Sequence, residues 1–196
     1  MSEPEAEDRD AAAIAAIRRR QDRFLTETLP GALAMVNLEE ADGPVPVEVA
    51  PGKDIFGRTC VLRVGGREWR FWFGLNVFRL FAIHFVPVDL QNPLFRAARE
   101  RHEAEDFIDW LRRDVFAFTF GGAEKVGYDV NWEAIEVDGR RFVSVWAVAL
   151  CETDFLERPE LMLFWAQDLA MMTESFIRNA VRAELTFDPA VSPRPV

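Results

Sequence analysis

Two histidines, His84 and His102, and two cysteines, Cys60 and Cys151, are all this 196-residue chain has of either type. That scarcity removes most metal and nucleophile chemistry before any pattern is read. A zinc site would have to combine His84, His102, Asp106 and Asp89, and the dense ligand spacing of such sites is missing, so no metal is expected. His102 reads instead as a solvated helix residue and His84 as a sheet residue with one ring nitrogen satisfied. Neither cysteine sits in a CxxC pair or beside a base, and Ser144 and Ser175 lack a glycine elbow; the two thiols read as reduced and buried. The glycine pairs fail as phosphate loops, because Gly65-Gly66 joins two strands and Gly121, Gly122 and Gly127 match neither GxxxxGK nor GxGxxG. No cofactor is expected.

Positive charge is also short. The formal net charge is -10, which repels phosphate backbones and anionic bilayers, so nucleic-acid binding is not expected. The opening, Met1 to Asp10, carries Glu3, Glu5, Glu7, Asp8 and Asp10 against Arg9 alone, the reverse of a secretory signal. No apolar run approaches the roughly 20 residues that a membrane-spanning helix needs. Together these readings predict a cytoplasmic protein without membrane insertion. Tyrosine is nearly absent, with one residue against seventeen Phe and six Trp. Since Tyr is the ring usually kept where an aromatic meets water, the bias predicts buried aromatics.

What the chain does have is a dense aromatic run from Trp69 to Phe85: Trp69, Phe71, Trp72, Phe73, Phe78, Phe81 and Phe85. Gly65-Gly66 supplies the positive φ values of a tight hairpin between a strand at Cys60 to Val64 and one at Arg67 to Phe73. A third strand is predicted from Asn76 to Val86, ended by Pro87. On it Arg79, Phe81, Ile83 and Phe85 face one way and Phe78, Leu80, Ala82 and His84 the other, so both faces are mostly apolar and the strand should be central. Asp138-Gly139 predicts a second hairpin, Trp132 to Val137 with Arg140 to Cys151. Val45, Val47 and Val49, among prolines, suggest an edge strand. Phe116, Phe118 and Phe120 alternate as in another strand at Val115 to Phe120, and Gly121 to Gly127 reads as a mobile connection.

Helices are predicted from Ala11, with a stripe at Ile14, Ile17, Gln21, Phe24 and Leu25 broken by Pro30-Gly31; from Asn92-Pro93 to about Arg113; and along Leu169, Met172, Phe176, Ile177, Ala180 and Val181. The segment Leu161 to Ala166 fits either a strand or the start of that last helix. The sum is an α+β domain at residues 11–187, a mostly antiparallel sheet of about five to seven strands packed with N-terminal, middle and C-terminal helices. Residues 1–10 should be a disordered acidic start and 188–196 a loose tail. The element order resembles the layout of bacterial secretion chaperones, and the final strand-helix pair the sandwiches shared by nuclear-transport and photosystem accessory proteins. No residue motif accompanies either resemblance, and element order carries function poorly, so no family is assigned.

Candidate chemistry is correspondingly thin. Glu103, Glu105, Asp106 and Asp109 could meet on one helix face, but they read as an exposed acidic face balanced by Arg101, Arg112 and Arg113, and no catalytic residue is assigned. Arg79, in register with phenylalanines, needs an ion pair, a ring to stack on or a cavity. The best contact set is therefore Arg79, Phe71, Phe73, Phe81, His84 and Trp146. The leading expectation is a non-catalytic interaction module, an adaptor, chaperone or assembly subunit using an apolar sheet or helix surface, with a protein partner or a second copy of itself. The alternatives are an aromatic pocket in which Arg79 anchors an apolar or anionic small molecule, and a carboxylate-based enzyme.

Overall fold

The computed structural model describes residues 3–38, 43–50, 57–75, 81–89, 108–125, 127–137, 140–150, 155–183 and 185. Six strands form one antiparallel sheet: β1 (Val47–Ala50), β2 (Gly57–Val64), β3 (Arg67–Leu75), β4 (Phe81–Asp89), β5 (Tyr128–Val137) and β6 (Arg140–Leu150), in the order β1-β2-β3-β4-β6-β5. Helices flank it in the chain at the start, middle and end: α1 (Glu3–Arg23), α2 (Leu29–Ala34), α3 (Ala117–Lys125) and α4 (Pro159–Arg182). This is the α+β class expected from the sequence.

The β2-β3 hairpin turns at Gly65 and Gly66, whose φ values of 57° and 71° suit residues without a Cβ. β5 and β6 pair from Val137 and Arg140 outward, although Asp138 and Gly139 lie outside the described residues. β1, carrying the alternating valines, is an edge strand. β4 continues through Pro87 to Asp89, past the expected stop. The pairing explains why the proline is tolerated: the β3 ladder ends at Phe85, opposite Trp72, so beyond it β4 pairs only with β6.

Direct antiparallel partners share a face of the sheet. Cys60, Leu62, Trp69, Phe71, Phe73, Val143, Val145, Ala147 and Ala149 are all buried in the main core. The helices close that face. Phe176 of α4, fully buried, stacks on Phe116 at 4.4 Å between ring centroids and meets Phe71 edge-on at 6.0 Å. Phe24 and Phe155 form a second edge-on pair at 5.6 Å. Trp72 faces the other way, packed with Trp146 and Val148 in a small separate cluster. Its ring lies flat over Gly57 and Gly74, where a Cβ would come within 2.3 and 2.1 Å of it.

Four local expectations change. α1 begins at Glu3, ahead of the predicted Ala11 start; alanines and glutamates favour the helix and early acids suit its positive end. Pro30-Gly31 does not end the helical path. A five-residue π-turn, Phe24–Thr28, precedes α2, with the Leu29 N–H donating to Phe24 O, and Pro30 then sits in the first turn of α2. Residues 115–120 are not a strand: a second π-turn, Leu111–Val115, leads into α3. A strand would put Phe116, Phe118 and Phe120 on one face, whereas the helix buries Phe116 and Phe120, four apart, and leaves Phe118 exposed. The glycines at 121 and 122 accordingly belong to α3. Leu161 to Ala166 is helical, within α4.

Candidate interaction surface

Helix α4 holds more apolar side chains than one face can bury. Its inner stripe, Ala166, Leu169, Ala170, Met172, Thr173, Phe176, Ile177 and Ala180, fills the core. Leu161 to Ala166 is apolar six times in succession, so the helix carries part of that run outward. Leu163, Gln167, Ala170, Met171 and Glu174, at i, i+4, i+7, i+8 and i+11, trace a second stripe beside the first. Leu163, Phe164 and Met171 on this side are 50%, 56% and 63% exposed. Opposite them α2 presents Gly31, Ala32 and the 75% exposed Met35.

Between the two helices lies an open groove of about 760 Å³, lined by these residues with Glu27, Asp168 and Glu174. Four of the five large apolar side chains that are exposed among the described residues line it; Phe118 is the exception. Clustering, not exposure as such, makes the surface notable, since scattered apolar side chains are ordinary on protein surfaces. The lining contains three carboxylates and no lysine or arginine. Glu27 pairs with Arg23 at 3.1 Å. Glu174 pairs with Arg178 at 2.6 Å and accepts from the Asn37 N–H, while Arg178 donates to Asn37 O at 2.9 Å. This clamp holds the chain leaving α2 against α4 and sets the groove's width at one end. Asp168 makes no ion pair among the described residues.

The residues singled out from sequence are not gathered in one place. Phe71 and Phe73 are filled-in core on the helix-covered face. Trp146, half-buried, packs with Trp72 on the opposite face. Phe81 and His84 are fixed here by strand register alone, Phe81 opposite Leu150 and His84 between Phe73 and Ala147. Arg79 lies outside the described residues, as do His102, Glu103, Glu105, Asp106 and Cys151.

Gln21, flagged as the break in the α1 stripe, is buried and donates from Nε2 to Leu75 O at the end of β3. A second polar cluster joins α3 to α4: Thr119 Oγ1 lies 2.9 Å from Ser175 Oγ and accepts from Asn179 Nδ2 at 3.0 Å. Gln21, Thr119 and Thr173 are the buried polar side chains among those described, and no carboxylate, which a general acid would need desolvated, is one of them. Burial pushes the Cys60 thiol from the usual 9.0 up to about 12, which leaves it protonated and unreactive at neutral pH. No group of three or more potential metal ligands occurs among the described residues. Among them, too, no helix is long and apolar enough to cross a membrane.

No protein-family model, curated protein or solved structure matches the chain.

Sequence reasoning passed over Met35, Leu163, Phe164 and Met171. The signal for three of them was available: six consecutive apolar residues followed by a full inner stripe exceed what one helix face can bury. Met35 carried no such signal, because its exposure depends on how the π-turn aims α2.

Proposed function

We propose that the chain is a non-catalytic protein-interaction module of the cytoplasm, an adaptor, chaperone or assembly subunit, and that it binds its protein partner in the groove between α2 and α4. The supporting observation is the clustering of Met35, Leu163, Phe164 and Met171 along one groove. Methionine suits such a surface because its unbranched thioether adapts to varied partner shapes. A groove between two helices is also a common seat for a third. The inner face of α4 is filled without Leu163, Phe164 or Met171.

A photo-crosslinking residue placed at Met171 in the native cell tests this reading, with the same residue at Glu133, exposed on β5, as control. The expected result is a discrete protein adduct at Met171 that is absent at Glu133 and is lost when Phe164 is changed to Ser. Equal labelling at both sites, or none at either, overturns the proposal.

A further inference from the structure

We infer that the groove's occupant is an amphipathic helix of about three turns whose apolar stripe is flanked by lysine or arginine. The inference rests on the interaction reading above and names the partner's chemistry. Length comes first. The lining of α4 runs from Leu163 to Glu174, which at about 1.5 Å per residue is roughly 16 Å, or three helical turns. A segment of that length presents anchors at i, i+3 or i+4, and i+7, and Leu163 and Met171, eight residues or roughly 12 Å apart on α4, stand at about the span of the outer two.

Close approach comes second. Gly31 lines the groove from α2, and nothing lies within 4 Å of where its Cβ would be. A partner's side chains can therefore reach the α2 backbone itself. Charge selects among occupants. Of the three lining carboxylates, Glu27 and Glu174 are each paired with an arginine one turn away, Arg23 and Arg178, and Asp168 makes no ion pair among the described residues. On a chain of net charge -10 such a rim attracts a basic partner and speeds its encounter, while a second copy would bring the same acids face to face.

Gly31 also supplies a clean perturbation. It is helical, and the space above it is open, so a larger side chain there blocks the groove without straining the fold. The probes are three labelled 18-residue peptides: a Leu/Ala/Lys sequence with leucines at i, i+3, i+7 and i+10; the same sequence with Glu for every Lys; and the Lys form with two central prolines. Each is titrated by fluorescence anisotropy against the wild-type chain, Gly31→Arg, and Glu133→Gln, which makes the same single-unit charge change on a distant strand.

The expected result is micromolar binding of the Lys peptide to the wild type and to Glu133→Gln, at least tenfold weaker for Gly31→Arg. The Glu and proline peptides should bind at least tenfold more weakly than the Lys peptide. Equal binding of the Glu peptide overturns the basic partner but leaves the groove as the site; equal binding of the proline peptide overturns the helix. Undiminished binding to Gly31→Arg overturns the site and leaves only diffuse attraction to an acidic surface. If no peptide binds, sedimentation of the same samples separates two failures. A wild-type dimer that Gly31→Arg reduces to monomer seats a second copy in the groove, so the interaction reading survives and this inference falls. Monomers throughout overturn both.

Discussion

Phe176→Ala should be among the most damaging single changes available in this fold, and its size can be worked from the ring's surroundings. Phe176 has 0% exposure and contacts three aromatic rings: it stacks on Phe116 with 5° between planes, meets Phe120 of α3 edge-on at 6.3 Å, and meets Phe71 of β3 edge-on at 6.0 Å. Returning its buried side chain to water costs about 2–3 kcal/mol. The cavity left among rings held by a sheet on one side and α3 on the other cannot collapse fully, which brings the total to about 3–5 kcal/mol. For a domain of this length that is a fall of roughly 6–20 °C in Tm. Chemical denaturation followed by far-UV circular dichroism measures the free energy directly. Phe176→Leu keeps most of the bulk and loses the stacked pair, so about 1–2 kcal/mol is expected. Phe118→Ala, at 90% exposure, should stay within about 0.5 kcal/mol of the wild type. A loss under about 1.5 kcal/mol for Phe176→Ala, or a comparable loss for Phe118→Ala, would refute both this packing and the helical phase of α3.

Gly74→Ala should cost about 1–3 kcal/mol and shift tryptophan emission, because a Cβ there would fall 2.1 Å from the Trp72 ring. Gln21→Ala leaves the buried Leu75 carbonyl without its side-chain donor, so a loss of about 1–3 kcal/mol is expected in urea titration. Cys60 should resist a thiol reagent at pH 8 in the folded chain and react at once in denaturant. Its folded pKa is pushed by burial to about 12 from the usual 9.0, so the unfolded chain loses this proton first and binds fewer protons between those values. The stabilisation due to Cys60 is then fully present below pH 9 and declines by about 1.4 kcal/mol per pH unit above it. A Cys60→Ala variant should show less of that alkaline decline.

The legible parts of the fold were those where one local rule has one outcome. Gly65-Gly66 and the valine alternation before it gave the first hairpin and its edge strand, because positive φ and period two leave little choice. The errors fell where two periods coincide. Phe116, Phe118 and Phe120 satisfy a strand at every position and a helix at two of three, and the arbiter is tertiary: Phe176 stacks on Phe116, and the Thr119-Ser175-Asn179 cluster ties the segment to α4. Pro87 misled for the opposite reason, since a proline in a central strand is tolerated only where the neighbouring ladder has already ended. The contact set built from Phe71, Phe73 and Trp146 assumed a shared cavity, whereas register puts Trp146 opposite Phe85 and Phe85 opposite Trp72, on the far side of the sheet from Phe71 and Phe73.

The aromatic density of β3 therefore has a mechanical cause. A six-stranded sheet covered on one face by helices needs large rings to bridge the gap, and Phe71, Phe73, Phe116, Phe155 and Phe176 are all fully buried in doing so. Nothing comparable accounts for the outer stripe of α4. Exposed helix positions are served at least as well by Glu, Lys or Gln, which match Leu and Met in helix propensity and keep the surface soluble. Phe164 is worse than any of them on both counts. Helix propensity and solubility therefore give no reason for Leu163 and Met171 to be apolar, and the proposed partner in the groove supplies one; Phe164 has in addition the ring of Trp165, met edge-on at 6.0 Å.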